Sequence, residues 1–146
     1  MTLTAEEFIQ QKERQFQKEK QKVKRFPDIS RTGWHLWRRD AWTFMQQSGH
    51  PEKVFVVERL RYVEEEGIVA HHVPKQDYCQ YRFGYFIVGK IGKREGKWTW
   101  GQSCPIIPSR DLYRLIRRAE QEGTIMNSSK GEVSGTQGQA FSSCLA

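Results

Sequence analysis

The feature that most restricts how this chain folds is a pair of stretches in which bulky side chains alternate. In residues 78–88, Tyr81, Phe83, Tyr85 and Ile87 alternate with Gln80, Arg82, Gly84, Phe86 and Val88; in residues 97–107, Trp98 and Trp100 alternate with Lys97, Thr99 and Gly101. A period of two sends successive side chains to opposite faces of a strand. Between the stretches, Gly89, Gly92 and Gly96 with Lys90, Lys93 and Arg94 supply a glycine-rich, basic turn, so the unit reads as an antiparallel hairpin. Cross-strand aromatic pairs contribute about 0.2–1 kcal/mol each over alanine pairs. Pro105 and Pro108 end the second strand, because proline has no N–H for the ladder. Trp98 and Trp100 share one face of it, as core or as a platform on which a ligand stacks.

Around this hairpin the sequence predicts helices and further strands. Thr4 with Glu7 three residues on has capping-box spacing, and the polar first 26 residues read as a charged helix with a thin apolar stripe of Ile9, Phe16 and Val23, ended at Phe26-Pro27-Asp28. Trp34, Trp37, Ala41, Phe44 and Met45 follow helical spacing, which predicts a second helix over residues 34–47. Residues 48–51, Ser-Gly-His-Pro, punctuate the chain. Residues 54–63 and 68–73 then read as strands. Ser109 is the predicted cap of a helix over 109–122 that stops at Gly123, with Leu112, Leu115, Ile116 and Ala119 on one face and Arg110, Arg114, Arg117 and Arg118 on the other. Residues 127–146 are rich in Ser, Gly and Gln and are expected to be disordered. The expected fold is α+β: a small antiparallel sheet of three to four strands within residues 27–126, packed on one face by two amphipathic helices, with the N-terminal helix of residues 1–26 outside or across it.

A chain of 146 residues with 37% hydrophobic and 12% aromatic content is one domain's length and holds enough apolar side chains for a core. No apolar run approaches the ~18 residues that span a bilayer, and three cysteines without close pairing do not make a disulfide framework, so a soluble cytoplasmic protein without a membrane partner is the expectation. The net charge is +7, and it is concentrated. Residues 12–25 carry +5, residues 90–118 carry +6, and the remainder is acidic at −4. Basic elements beside aromatic strands suit a polyanion, since Lys and Arg release counterions on meeting phosphates and aromatic faces stack unpaired bases. The residues expected to contact nucleic acid or another acidic partner are Lys90, Lys93, Arg94, Lys97, Arg110, Arg114, Arg117 and Arg118.

Catalytic signals are weak. His71, His72, Cys79 and Cys104 are metal-binding types, but their spacing matches no paired-ligand pattern, and neighbours in a strand face opposite ways, so no metal site and no cofactor is assigned. Asp77, Glu95 and Lys97 have the residue types and order of a metal-dependent nuclease, yet Glu95 and Lys97 flank a turn glycine rather than lying on the rigid interior of a strand. No G-x-S-x-G elbow, P-loop or dinucleotide fingerprint occurs. The sequence therefore favours a non-catalytic basic binding module. The alternatives are a small metal-dependent enzyme or a protein-interaction adaptor using the N-terminal helix.

Overall fold

The computed structural model describes residues 1–73 and 78–126. Helix α1 (Ala5–Lys18) precedes strands β1 (Val23–Pro27), β2 (Trp34–Gln46), β3 (Lys53–Glu66), β4 (Cys79–Val88) and β5 (Trp98–Trp100), and helix α2 (Ser109–Gln121) follows. The strands form one antiparallel meander in sequence order, a five-stranded half-barrel. Strands as long as β2 and β3 twist too strongly to stay flat, and each is bent further by one bulge, β3 at Val63 opposite Leu36 and Trp37 and β2 at Asp40 between Arg39 and Ala41. No helix among the described residues is long and apolar enough to cross a membrane.

The expected sheet of three to four strands with two helices on one face is thus corrected in three ways. Residues 34–46 are the interior strand β2, paired on both sides, and not a helix. A bulge at Asp40 resets the alternation along it, and both of its faces are covered, so its apolar residues lose the period of two and imitate helical spacing. Second, α1 ends at Lys18, and Val23–Pro27 pairs with β2 as a fifth strand. Third, the helices lie on opposite faces. Ala5, Phe8 and Phe16 of α1 pack on Phe44, Val54, Val56 and Phe86; Leu115 and Ala119 of α2 pack on Phe55 and Val57.

Other expectations fare differently. The 78–88 and 97–107 hairpin forms as β4 and β5, with Phe86 opposite Trp100 and Val88 opposite Trp98, though β5 is only three residues long. Trp98 stacks on Phe8 with centroids 4.5 Å apart and packs against the core, whereas Trp100 meets Phe86 at 5.1 Å and stays 38% exposed. Thr4 and Glu7 make the expected capping box. Residues 54–63 lie within β3, whereas 68–73 form loop rather than strand. Helix α2 has Pro108 at its N-cap, and Ser109 makes no capping bond; its first-turn anion is Asp111. The predicted disordered tail, residues 127–146, lies outside the described residues.

Candidate functional site

Helix α2 buries Asp111, Leu115 and Ala119 against the sheet. At 100° per residue this choice turns Arg110, Tyr113, Arg114 and Arg117 to the outermost arc, where all four are exposed. Asp111 anchors the start of the helix to the β2–β3 turn by accepting hydrogen bonds from the Ser48 backbone N–H, at 2.9 Å, and from the Ser48 hydroxyl. Burial pushes the Asp111 carboxyl up. The two Ser48 donors and the charges of Arg110 and Arg114 outweigh that and hold it below the usual aspartate range. An anion in the first turn also suits the helix dipole.

Between this helix and the end of β2 lies a cleft of about 460 Å³, lined by Gln46, Ser48, Arg114, Arg117, Arg118 and Gln121, with Met45 and Asp111 completing it. Two of its arginines are aimed by the scaffold. Arg118 donates to the carbonyl of Phe44 at 3.2 Å, and Arg114 donates to the Ser48 hydroxyl at 3.4 Å. That carbonyl belongs to the part of β2 beyond its pairing with β1, which reaches only Arg38, so Arg118 covers an acceptor the ladder on that side leaves open. The single carboxylate in the cleft is already satisfied by Ser48. Among the described residues no carboxylate forms an ion pair with Arg110, Arg114, Arg117 or Arg118.

The eight predicted contact residues therefore separate. Arg114, Arg117 and Arg118 line one cleft, with Arg110 beside it, whereas Lys90, Lys93, Arg94 and Lys97 line none of it. Those four sit in the β4–β5 connection, which is tied to the start of α1 by a bond from the Thr2 hydroxyl to the Gly96 carbonyl at 2.8 Å and from the Trp98 indole to the Leu3 carbonyl at 2.8 Å. Lys90 is paired with Glu52. The two groups approach only at one end of the sheet: Glu52 and Gly49 share the β2–β3 turn, and a Cβ on Gly49 would lie 3.5 Å from the Arg110 guanidinium. Of the nuclease-like set, Glu95 and Lys97 are exposed on that connection, and Asp77 lies outside the described residues.

The cleft residues that sequence reasoning passed over are Gln46, Ser48 and Gln121, with Tyr113 beside the cleft. Ser48 was visible only as part of a turn cluster, since nothing local says that a turn serine will meet a helix 63 positions later. Tyr113 carried a usable signal, being placed three residues after Arg110 and four before Arg117 on the same exposed arc.

The opposite face carries positive charge too, but spends it internally. Glu58, fully buried, accepts from Arg39 Nε at 2.8 Å and from Arg82 Nε at 2.6 Å. Arg39 lies 3.6 Å from the Phe16 ring centroid, and Arg82 lies between Phe26 and Trp100 at 4.9 and 5.0 Å. Lys24, on the same side, pairs with Glu19 at 3.5 Å; Arg25, turned to the other side of β1, pairs with Glu66 at 3.2 Å while stacking on Trp34. Comparison with protein-family models, with curated proteins and with solved structures finds no match to this chain.

Proposed function

We propose that the protein is a non-catalytic binding module that takes a phosphate-bearing polyanion, a nucleic acid, on the arginine cleft and outer arc of α2. The observation that carries this reading is the set of four arginines on one helix with no ion-pair partner among the described residues. Arginine presents a planar fork that matches phosphate oxygens, and Gln46, Ser48 and Gln121 add neutral donors around it. Tyr113, 73% exposed, offers a face on which a base stacks beside the phosphate contacts. The basic β4–β5 connection, with Lys93, Arg94 and Lys97, extends the positive field at the end where it approaches Arg110 and is assigned a steering role.

Fluorescence anisotropy with labelled single-stranded and duplex oligonucleotides, titrated across salt, tests this reading. Four arginine–phosphate contacts at ~0.7 per contact predict that log K for a single strand falls with log salt at a slope of about 3. Absence of binding at low salt to either form, or binding with no salt slope, overturns it.

A further inference from the structure

At the end of the sheet away from the arginine cleft, β1 runs into a loop that returns through β2, and the segment after β3 folds back over it. The side chain of Asp28 is fully buried there and accepts three hydrogen bonds: from the Ser30 N–H at 2.8 Å, from the Ala70 N–H at 2.7 Å and from His35 Nε2 at 2.5 Å. Two backbone N–H groups and the His35 ring all point at its oxygens, the surroundings of an acceptor-only carboxylate.

A carboxylate facing His35 Nε2 places the proton of the neutral ring on that nitrogen, which leaves the lone pair on Nδ1. The His35 side chain is 10% exposed, and its Nδ1 is buried with no hydrogen-bond partner among the described residues. Next to it lies the ring of His71, with centroids 5.4 Å apart and planes inclined at 34°. Asp28, His35 and His71 each offer a ligand atom, and these lie within 4.8 Å of one another. Two ligands on one zinc at ~2.1 Å each are at most ~4.2 Å apart, so an ion shared by His35 Nδ1 and His71 requires the exposed His71 ring to rotate toward Nδ1. His72, adjacent in sequence, is engaged elsewhere: its Nδ1 meets Glu65 at 2.8 Å.

The geometry points to a binding site for a divalent transition-metal ion of the zinc class, held by His35 Nδ1 and His71 and completed by water, with Asp28 as the carboxylate that orients His35. A metal-binding histidine regularly gives its second N–H to a carboxylate, which fixes the tautomer and raises the basicity of the ligating nitrogen. Imidazole ligands favour Zn²⁺, Ni²⁺ or Cu²⁺ over the oxygen-seeking Ca²⁺ and Mg²⁺. The ligands come from β2 and from the loop after β3, with the orienting carboxylate from the residue after β1. No sequence spacing within one segment could have announced the set.

Titration calorimetry of the full-length protein with zinc chloride tests the site, since the probe is the metal alone. One ion binds per chain, His71→Ala lowers the affinity ~10-fold to ~100-fold, and His72→Ala leaves it unchanged. Because His35 is buried, it is better followed than replaced: zinc shifts the NMR ring resonances of His35 and His71 and spares those of His72. Failure to bind zinc at ~1 mM, where even a weak two-imidazole site would begin to fill, overturns the proposal. So does zinc binding that His71→Ala does not weaken, which would locate the ion at another group such as the exposed Cys104, or zinc binding that leaves the His35 resonances in place.

Discussion

The α1 face of the sheet and the outer arc of α2 use the same residue type to opposite ends. On the α1 face Arg39 and Arg82 are drawn inward, share the buried carboxylate of Glu58 and stack on Phe16, Phe26 and Trp100. On α2, Arg110, Arg114 and Arg117 are exposed and form no close ion pair among the described residues. The difference follows from what lies opposite each arginine. The register pairs Glu58 with Trp42 on one side and with Arg82 on the other, and the curled sheet and α1 close over them; the outer arc of α2 has only solvent beyond it. Charge on the α1 face is structural, and so is Arg59 on the other face, buried and bonded to the Gly123 and Thr124 carbonyls, whereas Arg110, Arg114 and Arg117 of the helix itself face solvent.

Removing Glu58 is expected to have the largest effect. Glu58→Ala leaves the buried Arg39 guanidinium with only the longer contact to Glu19 at 3.7 Å and deprives the partly exposed Arg82 of its carboxylate, and breaking a buried pair by deleting one partner costs about 3–5 kcal/mol. Urea denaturation followed by tryptophan fluorescence measures it; a loss under ~1 kcal/mol would mean that water reaches the network and that the face is not structural in the sense drawn here. Glu58→Leu with Arg39→Met and Arg82→Met sharpens the point, since replacing a whole buried ion network with apolar groups of similar volume is often neutral or stabilising.

Asp111 joins α2 to the sheet and comes next. Asp111→Ala removes the acceptor for both Ser48 donors and is expected to cost about 1.5–3 kcal/mol, in the range of hydrogen bonds to a charged group. The pH dependence has a definite sign. The folded-state pKa of Asp111 is lowered from 3.8, so its contribution is fully present above that value and is lost as pH falls through the folded one. Asp28, whose carboxyl is also lowered, adds to the loss in the same acid window. Thermal melts from pH ~5 down to ~2 should therefore fall steeply for the parent and less steeply for Asp111→Asn; equal slopes would show that Asp111 titrates alike in both states.

Glycine at 84 is expected to matter by a comparable or smaller amount. A Cβ there would sit 2.3 Å from the Trp100 ring, so Gly84→Ala must displace the indole that closes the end of the α1 face. Overpacking of this kind costs about 1–3 kcal/mol. The near-ultraviolet circular dichroism of the tryptophans should change with it, and an unaltered spectrum with unaltered stability would show that Trp100 does not pack on that site.

How much of this was readable in advance depended on how local each signal is. The β4–β5 hairpin, the Thr4–Glu7 capping box and the arginine arc of α2 rest on residues close in sequence, and each was legible. Strand β2 was not: a bulge at Asp40 and cover on both faces left an apolar spacing that a helix shares. The docking of α1 was half hidden, because the stripe of Ile9, Phe16 and Val23 omits Ala5 and Phe8, which pack with Phe16 in the core. The Glu58 network needs the register of three strands, and its members lie 19 and 24 positions apart. Ser48 and the Asp28, His35 and His71 group likewise become neighbours only through tertiary folding.

The smallest effect on stability is expected where the effect on binding is largest. Arg114→Ala with Arg117→Ala removes two exposed guanidinium groups; Arg117 makes no hydrogen bond or ion pair to the described residues, and Arg114 makes one long contact to Ser48. Surface changes away from packing stay within about 0.5 kcal/mol, so the urea midpoint should hardly move. Oligonucleotide affinity at low salt should fall, and the salt slope should drop by about 1.4, two contacts at ~0.7 each. Arg39→Ala inverts the pattern, lowering stability through the buried carboxylate it leaves behind. If instead the α2 double variant destabilises the fold as much as a change at Glu58, its arginines belong to the scaffold, and the two sets of arginines differ in exposure without differing in role.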